Sequence, residues 1–275
     1  MRFALSTNWC NRRIESGREI AETAAKLGFD ALELGFHTTD SQAKEIVQAD
    51  VLPVESIHAF CPVPISAPQG YPELYLLASD DEEGRKMASL QVRRNIEFAA
   101  SVGAKTVVLH AGRVCCNTFF KRNRMKRRIR RGAKMMDVFR RELDSLLPDL
   151  DKHDVTLGLE NLPYLEGFPN ESEIAALVSE RVRPWFDTGH DFVRVTNGWK
   201  ATPPDDFAFA PIGLHINDSN GGDDHLPPGE GKIDFEALKP LASFARHLVF
   251  EPHCGVEGGA LAESLSRIRA LWSSN

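Results

Sequence analysis

The chain has 275 residues, of which 42% are hydrophobic and 26% are charged, and its formal net charge at pH 7 is −6. This is the composition of a globular protein, not of a disordered chain, and it suffices for one large α/β domain or two smaller ones. The acidic balance disfavours a general nucleic-acid binder, because affinity for phosphate backbones comes from an excess of Lys and Arg.

The sequence contains no targeting or membrane signal that we recognise. The apolar run in "MRFALSTNWC" is too short for a secretory signal, and no window reaches the roughly 18 uninterrupted apolar residues of a membrane span. We therefore expect a soluble, cytoplasmic protein. The cysteines form no CxxC pair and are predicted to be free thiols. They are Cys10, Cys61, Cys115, Cys116 and Cys254.

Eight short apolar segments with β-forming residues recur along the chain. In order they are 2–6, 31–36, 51–58, 106–110, 155–160, 184–187, 212–217 and 248–251. The segments between them have helical patterns; 16–29, for example, begins with the N-cap residue Ser16. Eight alternating strand and helix units predict a single (β/α)8 TIM barrel, an α/β domain spanning residues 1–275. An open doubly wound sheet is the alternative, but no GxGxxG motif follows the first strand.

In a barrel of this kind the active site lies at the carboxyl ends of the strands. Six segments in succession, the third to the eighth, place a His, Asp or Glu at or near this end. They are His58, His110, Glu160, Asp187, His215 and Glu251. Each alone could be a structural residue, but together they leave several charges partly desolvated, which is costly without a cation. The pattern predicts a metal site.

The same residues carry a resemblance to the xylose isomerase-like barrels, which include sugar-phosphate isomerases, epimerases and endonuclease IV-type apurinic endonucleases. The matching motifs are SIHAF, VVLHAG, LGLENLP, WFDTGHDF, LHINDS, DDHLPPGEGKID and FEPH. They are spread over nearly the entire chain. The most specific of them are the DTGH motif and the spacing of DxHxxxGEG.

The resemblance implies a primary divalent metal, Mn²⁺ or Zn²⁺, held by Glu160, Asp187, His215 and Glu251. Carboxylate and imidazole donors suit such ions. Endonuclease IV-type members hold three zinc ions in all, so one to three ions per chain are expected here. The residues that match the additional positions are His58 and His110 for one ion, and His190, Asp223 and His225 for another.

A basic run, "KRNRMKRRIRRGAK" at 121–134, contains nine Lys or Arg residues and no acid. We favour its interpretation as the solvent face of an amphipathic outer helix. The helical spacing of the apolar residues predicts the buried face; they are Met125, Ile129, Met136, Phe139, Leu143 and Leu146. If the run has a function, its N-terminal end and Arg113 in the preceding loop would bind a substrate phosphate or a partner.

Aromatic and polar residues near the strand ends are candidate substrate contacts. Trp9, Phe36 and Phe60 all lie where loops leave strands, and Trp9 is retained as the aromatic that would pack against a sugar ring. Asn161, which follows Glu160, and Arg113 are the polar candidates.

The leading hypothesis is a metal-dependent isomerase or epimerase of a sugar or sugar phosphate. Glu160 and Glu251 would transfer protons on opposite faces of the substrate, through a metal-stabilised enediolate. The alternative is a zinc-dependent apurinic endonuclease. The HLPPGEG motif favours the isomerase or epimerase, and so does Asn220, because the endonuclease branch usually has Lys there. A non-enzymatic sugar-binding barrel is the third possibility. The sequence leaves a homo-oligomer open.

Overall fold

A computed structural model describes residues 1–10, 13–115, 121–198 and 210–273. Eight parallel strands close into a barrel in the order β1-β2-β3-β4-β6-β8-β9-β10, and β10 pairs with β1. The barrel strands are β1 (Ala4–Ser6), β2 (Ala31–Leu34), β3 (Val54–His58), β4 (Thr106–Leu109), β6 (Thr156–Glu160), β8 (Val182–Asp187), β9 (Gly213–Ile216) and β10 (His247–Phe250). The predicted TIM barrel is confirmed, with one strand in each of the eight predicted segments.

Helices connect the barrel strands and cover the outside. They are α1 (Gly17–Lys26), α2 (Asp40–Ala49), α3 (Glu82–Ser101), α4 (Lys121–His153), α5 (Glu171–Ala175), α6 (Thr188–Thr196), α7 (Lys239–Phe244) and α8 (Gly258–Ser273). Short polar side chains begin them: the Ser16 hydroxyl accepts from the backbone N–H of Glu19, as predicted, and Thr39 and Gln42 form a capping box at α2. The remaining strands, β5 (Gly112–Arg113) and β7 (Gly167–Phe168), form an antiparallel ribbon.

A single indole fills the lower part of the barrel. Trp185 of β8 is fully buried, and its ring lies between Gly158 of β6 and Gly213 of β9; a Cβ atom on Gly213 would lie 2.6 Å from Cε3 of Trp185. The ring stacks on His247 at 5.8 Å and meets the edge of His215 at 5.0 Å. The imidazole of His215 therefore packs against the buried indole of Trp185.

The long helix α4 differs from its prediction at one end. Phe139, Leu143 and Leu146 are buried as expected, but Met125 and Ile129 are 39% and 63% exposed. The prediction that the apolar stripe is buried along its whole length is therefore wrong for the first turns of the helix.

A polar contact occupies the inner face of those first turns instead. Arg128 is only 3% exposed and its guanidinium donates to both carboxylate oxygens of Glu173, at 2.9 and 2.7 Å, and to the carbonyl of Gly167 at 2.6 Å. A bidentate pair of this kind rotates the helix so that Arg128, not Met125 or Ile129, faces inward. Lys126, Arg127, Arg130, Arg131 and Lys134 are exposed, as the amphipathic interpretation predicts.

Two expectations about bulk properties can be compared with the structure. Cys10, Cys61, Cys115 and Cys254 are free thiols, the first two buried; Cys116 lies outside the described residues. Within the described ranges, no helix is both long enough and apolar enough to cross a bilayer.

Candidate metal centre

Four neighbouring strands bring the predicted primary ligands together. Glu160 ends β6, Asp187 ends β8, His215 lies within β9, and Glu251 follows β10 directly. Since β6, β8, β9 and β10 are consecutive in the barrel, the side chains converge, and one ligand atom from each lies within 4.8 Å of the others. All four residues are at least 95% buried.

The imidazole of His215 lies at the centre of this group. Its Nδ1 is 3.0 Å from Oε1 of Glu160, 3.1 Å from Oε2 of Glu251 and 3.8 Å from Oδ2 of Asp187. Three carboxylates and one imidazole are a donor set that divalent ions such as Mn²⁺ and Zn²⁺ accept. Three desolvated carboxylates around one ring are also costly unless a cation compensates them. The residues therefore fit a divalent metal.

The protonation equilibria reflect this crowding of charge. Burial favours the neutral form of Glu160, but the charges of His215 and His110 outweigh it and hold the pKa of Glu160 well below its ordinary value. Burial also disfavours the charged form of His215, yet Glu251, Glu160 and Glu33 raise its pKa well above 6.5. A proton on the imidazole thus provides part of the positive charge that this group of carboxylates needs.

Burial outweighs the neighbouring charges at the third carboxylate, Asp187. Burial, its largest influence, raises the pKa of Asp187, and the neighbouring His190 opposes it. The Asp187 carboxylate also caps α6: Oδ1 accepts from the backbone N–H of His190 at 2.7 Å, and Oδ2 accepts from Nδ2 of Asn217 at 2.8 Å. The DTGH spacing therefore has a physical cause, because an N-cap carboxylate bonds to the backbone three residues later.

Two further groups of potential ligands overlap the primary group. His58 and His110 both direct Nε2 at Oε2 of Glu160, at 3.2 and 3.1 Å, so the two oxygens of this carboxylate face different imidazoles. His190 and His225 form the third group with Asp187. All the predicted histidines are therefore in the cluster.

Asp223 does not lie where the sequence suggested. Its carboxylate accepts from Nδ2 of Asn220 at 3.1 Å, at an exposed position. The next residue, Asp224, faces both histidines instead, with its carboxylate oxygens 3.9 Å from Nε2 of His190 and 4.0 Å from Nε2 of His225. The backbone of His225 is left-handed, with φ of 54°. The DxHxxxGEG spacing does not report a bend of this kind.

One carboxylate organises the loop that carries His225. Asp218 accepts four backbone hydrogen bonds, from the N–H groups of Ser219, Gly229, Gly231 and Ile233, at 2.8 to 3.0 Å. It fastens the GEG turn beside the end of β9. Sequence reasoning missed this residue, although the sequence has an acidic residue just after a strand and several glycines shortly after it.

Glu33 is the most important residue that sequence reasoning missed. It is fully buried in β2, accepts from the Ser56 hydroxyl at 2.8 Å, and lies 3.1 Å from Nε2 of His215. Its signal was present: a glutamate inside the apolar run ALELGF. The strand-end rule did not select Glu33, because this residue lies inside the apolar run and not at its carboxyl end.

A pocket of about 230 Å³ opens above the ligands at the rim of the barrel. Its lining is Asn8, Phe36, His37, His58, Pro72, His110, His190, His225, Glu251, Pro252, His253 and Cys254. The side chain of Asn8 donates to Oε1 of Glu251 at 2.9 Å, and Phe36 meets the edge of His58 at 5.2 Å. Of the three aromatics named from the sequence, Phe36 lines the pocket, whereas Trp9, the one retained as the sugar contact, does not.

The other candidate substrate contacts have different surroundings. Trp9 is buried and its indole N–H donates to the carbonyl of Val256 at 2.6 Å. Both ends of the Asn161 amide bond to the backbone of Asp187, so Asn161 positions that ligand. Arg113 pairs with Glu73, and its guanidinium lies 4.2 Å from the ring centre of Tyr164. Phe60 is in the core against Tyr75.

Comparison with known proteins agrees with this architecture. The model of the xylose isomerase-like TIM barrel family matches residues 21–270. The chain belongs to this family. An uncharacterised protein of Methanocaldococcus jannaschii is 29% identical over 170 residues, which are 59% of this chain and 60% of that protein.

Solved structures have the same fold. A D-tagatose 3-epimerase-like protein superposes with a TM-score of 0.70 at 22% identity, covering 98% of this chain and 97% of its own. A D-psicose 3-epimerase crystallised with D-fructose gives 0.69 at 15% identity, with both chains covered completely. The IolI protein with a bound zinc atom gives 0.69 at 14% identity, covering 99% and 98%. At these identities the likeness establishes the family's fold and nothing finer.

Proposed function

We propose that the protein is a metal-dependent isomerase or epimerase of a ketose or sugar phosphate. The observation that carries the proposal is the pair Glu160 and Glu251, whose carboxylates lie 3.0 and 3.1 Å from the same atom, Nδ1 of His215, at the base of the pocket. The names of the D-tagatose and D-psicose epimerases with this fold support the substrate class.

Glu160, Asp187, His215 and Glu251 would hold the divalent ion, which supplies Lewis acidity for neighbouring carbonyl and hydroxyl oxygens of the substrate. Glu251 lies at the edge of the pocket and is the candidate for proton transfer at the carbon next to the carbonyl, leaving an enediolate. Its pKa is lowered: burial opposes this, but the charges of His215 and His225 outweigh it, so the carboxylate is ready to accept a proton. Glu160, from a strand three positions away in the barrel, would transfer the proton on the other face.

The rest of the pocket suits a small polyol. Asn8 fixes the orientation of Glu251, and the ring of Phe36 offers an apolar face beside imidazoles that can bond to hydroxyl groups. Among the described residues the lining contains no Lys or Arg. A pocket lined by neither Lys nor Arg is poorly suited to a DNA backbone, whose affinity comes mainly from these residues.

A trinuclear zinc apurinic endonuclease remains a second candidate. It is favoured by the three overlapping ligand groups, in which Glu160 and Asp187 each belong to two. Carboxylates shared between groups are what neighbouring metal ions require.

One experiment separates the two candidates. Protein purified without chelators is analysed for metal content by emission spectroscopy, then incubated with a panel of ketoses in added Mn²⁺ and with an abasic-site duplex. We expect about one tightly held ion per chain and turnover of a ketose. About three ions with efficient strand cleavage and no sugar turnover would overturn the proposal.

A further inference from the structure

A second cavity lies outside the metal centre, between α4 and the ribbon strand β5. Its volume is about 250 Å³, and its lining is Asp80, Arg113, Val114, Arg130, Arg131, Lys134 and Met135. Four of the seven residues are cationic and one is acidic. In a chain with a net charge of −6, this is a strong local excess of positive charge.

Helix geometry explains how the cations converge. Lys134 lies four residues after Arg130 and three after Arg131, so the three side chains share one face of α4, and Arg113 reaches the same space from β5. Cations so close repel one another, and a solvated face would spread them apart instead of lining a cavity. The amphipathic interpretation of the basic run accounts for its exposure but not for this concave arrangement.

The pairing of these cations is incomplete. Arg113 pairs with Glu73, and Nη1 of Arg131 donates to the carbonyl of Cys115 at 2.9 Å. Arg130 and Lys134 have no hydrogen bond or ion pair with any residue in the described ranges. Their donors are thus available to a ligand.

We propose that this cavity is a binding site for a phosphate group. Guanidinium and ammonium groups that point into one small space match a compact dianion with several acceptor oxygens. The cavity is large enough for a phosphate and some water but not for a polymer. The source is either a phosphorylated substrate or a separate phosphate ligand.

Glu73 connects the cavity to the metal centre. One carboxylate oxygen pairs with Arg113, and the other lies 3.7 Å from Nδ1 of His110 in the pocket. A phosphate that draws Arg113 toward itself would weaken this pairing and change the environment of His110. The site thus lies beside the sugar pocket without depending on what that pocket does.

The test is titration calorimetry of inorganic phosphate into the purified protein at low ionic strength. We expect saturable binding that weakens at least tenfold in the double variant Arg130→Ala with Lys134→Ala. The matched control is Lys126→Ala with Arg141→Ala, which removes the same charge from exposed positions of α4 outside the cavity and should change binding by less than twofold. Alanine favours helix, and circular dichroism verifies that both variants are folded.

Three results would overturn the proposal: no saturable binding by the wild-type protein, unchanged binding by the cavity variant, or equal weakening in both double variants. The last would indicate a general effect of charge. None of these depends on sugar turnover, so failure here is distinct from failure of the proposed function.

A second arm identifies the source of the phosphate. If the phosphate belongs to the substrate, a ketose phosphate binds more tightly than inorganic phosphate, and the cavity variant reduces its affinity to that of the unphosphorylated ketose. If the phosphate is a separate ligand, inorganic phosphate binds equally well when the pocket is saturated with ketose. Both results support the cavity as the site.

Discussion

Nε2 of His215 lies 3.1 Å from Oε1 of Glu33, and neither side chain is exposed to solvent. A carboxylate that accepts from Nε2–H keeps a proton on that nitrogen, so Nδ1 is the nitrogen that can bind an ion once its own proton is displaced. The Ser56 hydroxyl donates to the same carboxylate and fixes its rotamer. Glu33 therefore sets the tautomer and orientation of the one imidazole in the primary group.

Replacing Glu33 by Gln should weaken metal affinity by about 10- to 100-fold, because an amide no longer fixes the imidazole with a charge-assisted hydrogen bond. Competition with a chromophoric chelator measures the change. Glu55→Gln is the control: its carboxylate lies 3.7 Å from Nδ1 of His247, at the opposite end of the barrel. Equal affinity of wild type and Glu33→Gln would exclude this role of Glu33.

Glu251→Gln should lower kcat by at least about 100-fold on any ketose that the protein converts, because an amide cannot take up a proton. The metal should remain, since three of the four predicted ligands are unchanged; metal analysis of the variant checks this. Glu230→Gln, in an exposed loop, removes the same charge and should leave turnover unaltered. Full activity of Glu251→Gln would remove Glu251 from proton transfer.

Metal binding should release protons. Burial lowers the pKa of His110, but Glu160 and Glu73 outweigh it and raise the value to about 9; the pKa of His215 and that of His225 are also raised against burial by nearby carboxylates. His110 therefore holds a proton at pH 7 that a metal must displace, and the raised pKa values of His215 and His225 act in the same direction, so apparent affinity should rise with pH up to about 9. Calorimetry at pH 7 in buffers of different ionisation enthalpy counts the released protons. A binding enthalpy that does not depend on the buffer would contradict this prediction.

Gly213→Ala should destabilise the protein by about 1–3 kcal/mol, because the new methyl group would overlap the ring of Trp185 inside the closed barrel. Denaturant unfolding gives the change in the free energy of unfolding. Gly259→Ala is a suitable control: this helical glycine of α8 has no atom within 4 Å of the new Cβ, so its replacement should be neutral or slightly stabilising. Similar stabilities for the two variants would contradict the prediction, because they would show that Trp185 moves aside for the methyl group at little cost.

The sequence was informative where one rule governs both position and chemistry. A His, Asp or Glu at the carboxyl end of a parallel barrel strand must lie on one rim, and this rule predicted His58, His110, Glu160 and Asp187, whereas His190 and His225 came from the resemblance to the family. It failed for Glu33, which lies inside a strand and acts across the barrel on β9. No local pattern reports such a contact between residues 182 positions apart.

Loops and helix rotation limited the prediction in other ways. The choice between Asp223 and Asp224 depends on the left-handed backbone at His225, which residue spacing does not encode. The burial of Arg128 in place of Met125 and Ile129 depends on a distant partner, Glu173. A tertiary hydrogen bond overrides the local pattern at Arg128, and a local backbone conformation does so at Asp224.

The indole of Trp185 covers one side of the candidate metal centre, and the pocket lies on the other. Because Trp185 is fully buried beneath His215, access from below is blocked, and the pocket described here opens at the rim. A molecule seated in that pocket therefore covers the path by which an ion would leave. In the part of the chain that the structure describes, this pocket is the opening beside the ligands, so its occupancy should slow the removal of metal by a chelator.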